Sequence, residues 1–318
     1  MVTSSGVLVI AGPTGSGKSA LALDAAEAFD GVIINADSMQ VYRELRLISA
    51  SPSPADEARA PHRLYGFVSA AERCSAGWWL RLARAEVERA RSSGRLPIVV
   101  GGTGLYLKAL LEGLAEVPPI PAEIRKEAEA MHAELGGAAF REELARLDPQ
   151  GASRIAATDR QRLLRAFEVA RWTGRALSEW QQRCSPPSSG CGAGDFATIA
   201  LLPPRERLYP TLDARLEVML ANGAVDEVRA LLALDLDPGL PAMKAVGVRE
   251  ISAYIRGEST LEQATKLAKQ ATRRFAKRQF TWLRHQLCSE VVAIEQYSES
   301  FRRETLSFIR QRLLTRTA

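Results

Sequence analysis

The sequence predicts an α/β fold: a parallel-sheet core, an inserted and mostly helical lobe, and a helical C-terminal region. Three observations lead there. A short apolar run, Val7–Ala11, passes at once into a glycine-rich turn and then a helical pattern. Strand-like and helix-like segments alternate as far as Gly113, the signature of a parallel sheet with crossover helices. Beyond Val117-Pro118-Pro119-Ile120-Pro121 the alternation stops, and residues 122–182 carry helical patterning alone. The chain is accordingly divided into a first part of the core (1–115), a helical insertion lobe (116–195), and a segment that completes the core and adds basic C-terminal helices (196–318).

The run at 7–11 is β-branched and apolar, as a strand buried on both faces should be. The helix expected over Lys18–Phe29 places Leu21, Ala25 and Phe29 four residues apart on one side. A second strand, Val32–Asn35, leads into Ala36-Asp37-Ser38. Residues 51–62 are rich in proline and serine and read as a loop. A helix over Ala76–Ser92, a strand over Pro97–Val100, and Gly101-Gly102-Thr103-Gly104 before another helix continue the order. Residues 185–194 read as a flexible connector. A strand returns over Phe196–Leu202, with helices expected from about Arg205 onward.

Bulk properties set limits. The 318 residues are 46% hydrophobic and 25% charged, ordinary for a chain with a sizeable core. No apolar run approaches a membrane span, and Met1–Ile10 lacks a basic n-region and cleavage site, so a cytoplasmic location is expected. The formal charge of +5 hints only weakly at an anionic partner. Cys74, Cys184, Cys191 and Cys288 form no CxxC pair, and reduced thiols are expected rather than a zinc site.

Gly12-Pro13-Thr14-Gly15-Ser16-Gly17-Lys18-Ser19 fits G-x-x-x-x-G-K-[ST], with a strand before it and a helix after it. Such a loop turns backbone amides and the positive end of a helix toward phosphate oxygens. Lys18 adds a point charge, and the Ser19 hydroxyl suits Mg²⁺. The core is therefore P-loop NTPase-like. The motif calls for a di- or triphosphate without choosing ATP. Asp37, at the carboxyl end of the second strand, should face the same crevice. There it can act as a general base, bind a metal, or cap the next helix.

The motifs become specific when taken in order: the P-loop, Ala36-Asp37-Ser38-Met39-Gln40-Val41-Tyr42, Pro61-His62-Arg63-Leu64, Gly101-Gly102-Thr103-Gly104-Leu105-Tyr106, Asp159-Arg160-Gln161-Arg162-Leu163-Leu164-Arg165-Ala166, Arg205-Glu206 with Arg215, Ala245-Val246-Gly247, and Ala276-Lys277-Arg278-Gln279-Phe280-Thr281-Trp282-Leu283-Arg284. In order and spacing they resemble the tRNA dimethylallyltransferase family over about residues 6–285. No Cys/His zinc finger follows Arg284, so the likeness is to the bacterial form. The resemblance implies transfer of a dimethylallyl group from dimethylallyl diphosphate, with Mg²⁺, to the N6 amine of the adenosine 3′-adjacent to the anticodon in the tRNA anticodon stem-loop. It implies Asp37 as base, with Thr14, Lys18 and Arg215 also in the catalytic set. Gly12 to Ser19 and Arg215 would hold the diphosphate. From the residues alone, a surface ion pair of Arg215 with Asp213 or Glu217 is the favoured reading.

The tRNA contacts implied by the resemblance are Asp37, Ser38, Met39, Gln40, Thr103, Arg125, Gln161, Arg162, Leu163, Leu164, Arg165, Lys244, Ala245, Val246, Gly247, Val248, Arg249, Lys277 and Arg278. Val248 departs from the family, which commonly has tyrosine there. Independently of the resemblance, residues 266–284 hold seven basic residues and no acidic one. On a helix, Lys266, Lys269, Arg273, Lys277 and Arg284 make one stripe, with Leu267, Ala271, Phe275 and Trp282 as the expected core side. Such a stripe suits nucleic-acid phosphates or a merely solvated face. His62 stands in a loop and is kept off the catalytic set. A monomer is expected. Two other readings remain: a P-loop kinase of a small metabolite or nucleoside, and a non-catalytic RNA-binding protein with a P-loop switch.

Overall fold

The computed structural model describes residues 6–182, 196–295 and 297–314. The connector at 185–194, with Cys184 and Cys191, lies outside them. The chain divides into two compact units, Met1–Leu111 with Ser189–Ala318, and Glu112–Ser188.

The first unit is built on a six-stranded sheet in the order β3-β2-β4-β1-β5-β6, with every pairing parallel. Its strands are β1 (Val7–Ala11), β2 (Gly31–Asn35), β3 (His62–Arg63), β4 (Leu96–Gly101), β5 (Phe196–Leu201) and β6 (Val291–Ala293). The four longest are buried along their whole length. That follows from apolar sequence on both faces of a strand whose crossovers cover it. β1 lies centrally, with Ala11 opposite Gly101 of β4 and Ala200 of β5. The loops after β1, β2 and β4 therefore emerge on one edge, where ligands bind in open parallel sheets.

Helices α1 (Lys18–Phe29), α2 (Pro54–Arg59), α3 (Ala76–Ser92) and α4 (Gly104–Glu112) connect the first strands. α1 ends on Asp30 in the left-handed region, whose amide returns to the Ala26 carbonyl. α2 lies inside the segment read as a loop. A capping box between Ser53 and Asp56, with Pro54 at the first turn, starts it. None of its residues is buried, so it has no apolar periodicity to betray it.

The second unit contains α5 (Ala122–Leu147), α6 (Pro149–Arg154), α7 (Arg160–Thr173) and α8 (Leu177–Gln182). α5 breaks at Gly136, where φ is 72°. Phe140, Leu144, Leu163, Leu164 and Phe167 form the centre of its core. Asp159 caps α7 by accepting the Arg162 amide.

After β5 come α9 (Arg205–Ala221), α10 (Ala224–Leu232), α11 (Val248–Ile255) and α12 (Leu261–Gln286), then β6 and α13 (Glu299–Ile309). The expectation of helices alone from Arg205 onward is corrected by β6. Three residues are too few to show a period; the open edge of β5 recruits them, and the Leu202 amide bonds the Ala293 carbonyl at 2.7 Å. The expected core side of α12 is also shifted. Its buried residues are Ala264, Ala268, Ala276, Gln279 and Leu283, whereas Leu267 is exposed. The helix docks by small residues that admit a close approach, and hydrophobicity alone points to the larger Leu267. Among the described residues no helix is long and apolar enough to cross a membrane.

Candidate active site

The loop between β1 and α1 begins the site. Gly17 has φ 89°, the left-handed region that glycine enters without a Cβ clash. It launches α1, whose first amides have no intrahelical acceptors. The Lys18 ammonium approaches the Pro13 carbonyl at 3.4 Å. Burial pulls its pKa down to about 8; Asp37 opposes that shift and Arg215 reinforces it. Those two couplings place Lys18, Asp37 and Arg215 in one electrostatic neighbourhood. Ser19 is exposed on the first turn of α1, whereas the Ser16 side chain is buried against Gly12.

Asp37 follows β2 in a turn secured by a buried asparagine. Asn35 is fully buried; its Oδ1 accepts the Asp37 amide at 2.7 Å, and its Nδ2 donates to the carbonyls of Asp37 (2.9 Å) and Leu64 (3.0 Å). The Asn35 carbonyl in turn accepts Trp79 Nε1–H at 2.8 Å. One carboxylate oxygen of Asp37 accepts the Met39 amide. No helix starts here, so the helix-capping alternative is corrected: the carboxylate closes a local turn and leaves Asp37 lining the site. The loop after β4 joins it: the Ser38 amide donates to Thr103 Oγ1 at 2.9 Å. Thr103 and Asp37 are brought to the same edge from two strands.

Arg215 arrives from α9. Its guanidinium donates to Thr14 Oγ1, which overrides the ion-pair alternative with Asp213 or Glu217. Those two acids instead face α12, Asp213 at 3.5 Å from Arg273 and Glu217 at 2.5 Å from Lys269. Burial lowers the Arg215 pKa, with Asp37 opposing. A cavity of about 200 Å³ is lined by Thr14, Asp37, Ser38, Met39 and Arg215, with an apolar wall that includes Leu212, Leu216, Met219 and Phe275. Lys244, Ala245, Val246 and Arg278 also line it. A cationic end beside an apolar wall suits an anion carrying a short hydrocarbon.

The remaining nucleic-acid candidates divide by exposure. Gln161 and Arg162 are exposed, Arg162 beside Asp159 at 3.4 Å. Arg125 and Arg165 both face the buried Glu168, at 3.7 and 3.8 Å. Leu163 and Leu164 require correction as RNA-contacting side chains, because both are buried in the core of the helical unit. Gly247 starts α11, Val248 is buried there in the tyrosine's place, and Arg249 is exposed. Gln40 is spent on the Ser49 and Ala50 carbonyls through its Nε2. Lys277, Arg278 and Arg284 are exposed along α12, whereas Lys269 and Arg273 are partly neutralised by α9.

Two residues near the loop were given no role by the sequence. Gln279 accepts the Thr14 amide at 2.8 Å. Tyr297 lies against Gly17, where a Cβ would meet its own Cβ at 2.6 Å, and its hydroxyl donates to Asp24 of α1. Gln279 stands in a quoted motif and could have been flagged as a polar residue on a helix's buried face. Tyr297 follows a region without motif or period.

Known proteins resemble this chain over most of its length. Residues 40–286 match the family model described as IPP transferase. A tRNA dimethylallyltransferase of Rhodospirillum centenum is 55% identical over 89% of this chain and 90% of its own. One from Rhodospirillum rubrum is 52% identical over 98% and 96%. Among solved structures, a eukaryotic dimethylallyltransferase acting on tRNA superposes with a TM-score of 0.81 at 25% identity, covering 98% of this chain and 81% of that one. The full-length tRNA isopentenylpyrophosphate transferase of Bacillus halodurans gives 0.69 at 29% identity, with 97% of each chain covered.

Proposed function

The chain belongs to the IPP transferase family, and from that premise we propose that it transfers a dimethylallyl group from dimethylallyl diphosphate to the N6 amine of the adenosine 3′-adjacent to the anticodon in tRNA, releasing pyrophosphate. The observation that carries this reading is the cavity where Asp37, Thr14 and Arg215 meet beside an apolar wall.

The adenine amine is a weak nucleophile because its lone pair is delocalised into the ring. As that pair attacks the allylic carbon, the carbon–oxygen bond breaks and the diphosphate leaves with its electrons. Asp37 takes the amine proton, a task for a carboxylate held in place by its own turn. Charge develops on the departing diphosphate, so donors fixed around it lower the barrier. Lys18, Arg215 and the backbone amides of Gly15, Gly17, Lys18 and Ser19 are those donors; Pro13 has no N–H, and the amides of Gly12, Thr14 and Ser16 are spent on Gly101, Gln279 and Pro13. Thr14, bonded to Arg215 through its hydroxyl, lines the same cavity as Asp37.

Among the described residues no three His, Cys, Asp or Glu side chains gather as a metal cage. A hydroxyl on an exposed first turn, Ser19, fits Mg²⁺, which takes most of its oxygens from phosphate and water. Ser19 would hold it, and its positive charge would favour the diphosphate as leaving group. On the RNA side, the target base must leave its stack to reach such a crevice. Arg162, Arg249, Lys277 and Arg278 are exposed cations for the phosphates.

Incubation with Mg²⁺, unmodified tRNA and radiolabelled dimethylallyl diphosphate tests the proposal, with ATP and a nucleoside panel in parallel. Label is expected in tRNA. Phosphate passing from ATP to a nucleoside, with no label in tRNA, would replace this reading with the kinase.

A further inference from the structure

Gln279 is 6% exposed on the inner face of α12, and it spends both ends of its amide on loops remote in sequence. Oε1 accepts the Thr14 amide at 2.8 Å, and Nε2 donates to the Gly102 carbonyl at 3.1 Å. The two loops follow the neighbouring strands β1 and β4, already joined by the Gly12 amide and the Gly101 carbonyl at 3.3 Å. The fit leaves no slack. A Cβ on Gly102 would lie 2.4 Å from Gln279 Nε2 and 2.8 Å from the Gly12 carbonyl oxygen.

A buried amide is costly unless its donor and acceptor are both satisfied. Here both are satisfied by backbone, one partner being the residue that also meets Arg215. Thr14 is thus held twice: by its amide from α12 and by its hydroxyl from α9. We propose that Gln279 is a positioning residue for Thr14, seating the phosphate loop against the β4 loop so that the Thr14 hydroxyl and Arg215 stay aligned on the donor. The inference rests on the prenyl-transfer reading. Gln279 acts through Thr14 and not on the donor itself.

Gln279→Met keeps length and shape while deleting both bonds. It should lower kcat/KM for dimethylallyl diphosphate by about ten- to a hundredfold, the scale of a small misplacement of reacting groups, and leave tRNA affinity unchanged. In a Thr14→Val background, where the positioned hydroxyl is gone, the same change should cost less than about threefold, because the two residues act as one unit. Gln279→Glu keeps the acceptor and regains a donor only when protonated. Its activity relative to wild type should recover as pH is lowered, which general destabilisation would not produce. Wild-type kcat/KM in Gln279→Met, losses that multiply in the double variant, or no recovery of Gln279→Glu at low pH would each overturn the inference. Wild-type protein that transfers no label defeats the proposed function instead. Wild-type transfer with an unaffected Gln279→Met defeats only the role of Gln279.

Discussion

The pocket at the ends of β1 and β2 and the basic residues on α7 and α12 are both rich in charge, but they are built on opposite terms. In the pocket each functional group is tied down: Asp37 by Asn35 and its own turn, Thr14 by Arg215 and Gln279. Burial there shifts the Lys18 and Arg215 pKa values. Along α7 and α12 the cations lie in solvent, or beside acids of their own unit such as Asp159, Glu168, Asp213 and Glu217. Preorganised donors favour chemistry, because no reorganisation is needed as charge develops. Loosely held surface cations favour phosphate binding that salt weakens. The difference separates turnover from RNA affinity and gives each its own diagnostic.

The largest expected effect falls on the base. Asp37→Asn should lower prenyl transfer by about 10²–10⁴-fold, the span of general-base contributions, while tRNA binding by filter retention stays near wild type. Parallel loss of binding would erase the distinction between the two regions. Next comes Lys18. Its ammonium, held at about 8, binds the donor in its charged form. Donor affinity should hold below that pH and weaken as pH rises through it, so KM for dimethylallyl diphosphate rises on the alkaline side. In Lys18→Ala turnover should drop on the order of a hundredfold, and the alkaline rise in KM should vanish. A wild-type KM flat to well above pH 8 would contradict the assignment.

Smaller effects belong to the surface. Lys277→Glu should weaken tRNA binding at low salt and make the log–log salt dependence shallower by roughly one unit, the weight of one phosphate contact. An unchanged slope would mark Lys277 as a solvated charge. Leu163→Ala bears on the helical unit's core instead. It should cost about 2–5 kcal/mol of that unit's stability, read by a lower unfolding midpoint, with the salt slope of tRNA binding unaltered. A changed slope at unaltered stability would restore Leu163 to the RNA surface.

The four longest strands were legible because they are continuous apolar runs and the first loop carries a spaced motif; β3 was not, being only His62–Arg63 at the end of a stretch read as loop, paired to β2. Asp37 was legible by position alone, at a strand's carboxyl end, although its choice between capping and catalysis was not. The misses share a physical cause: they depend on partners distant in sequence. β6 is strand only because β5 leaves an edge to pair with. The docking face of α12 is set by small residues and one glutamine, whereas an apolar pattern favoured Leu267. Leu163 and Leu164 sit between arginines in a basic run, yet the helical period turns them inward. Arg215 could not be assigned from its own helix, because its partner Thr14 lies 201 residues away.

The most direct test of the central claim uses an anticodon stem-loop bearing adenosine 3′-adjacent to the anticodon, beside the same stem-loop with inosine at that position. Inosine keeps the purine shape and lacks the exocyclic amine. With Mg²⁺ and labelled dimethylallyl diphosphate, label should enter the adenosine stem-loop and not the inosine one. Equal labelling of both would place the new bond elsewhere than on N6 and contradict the account.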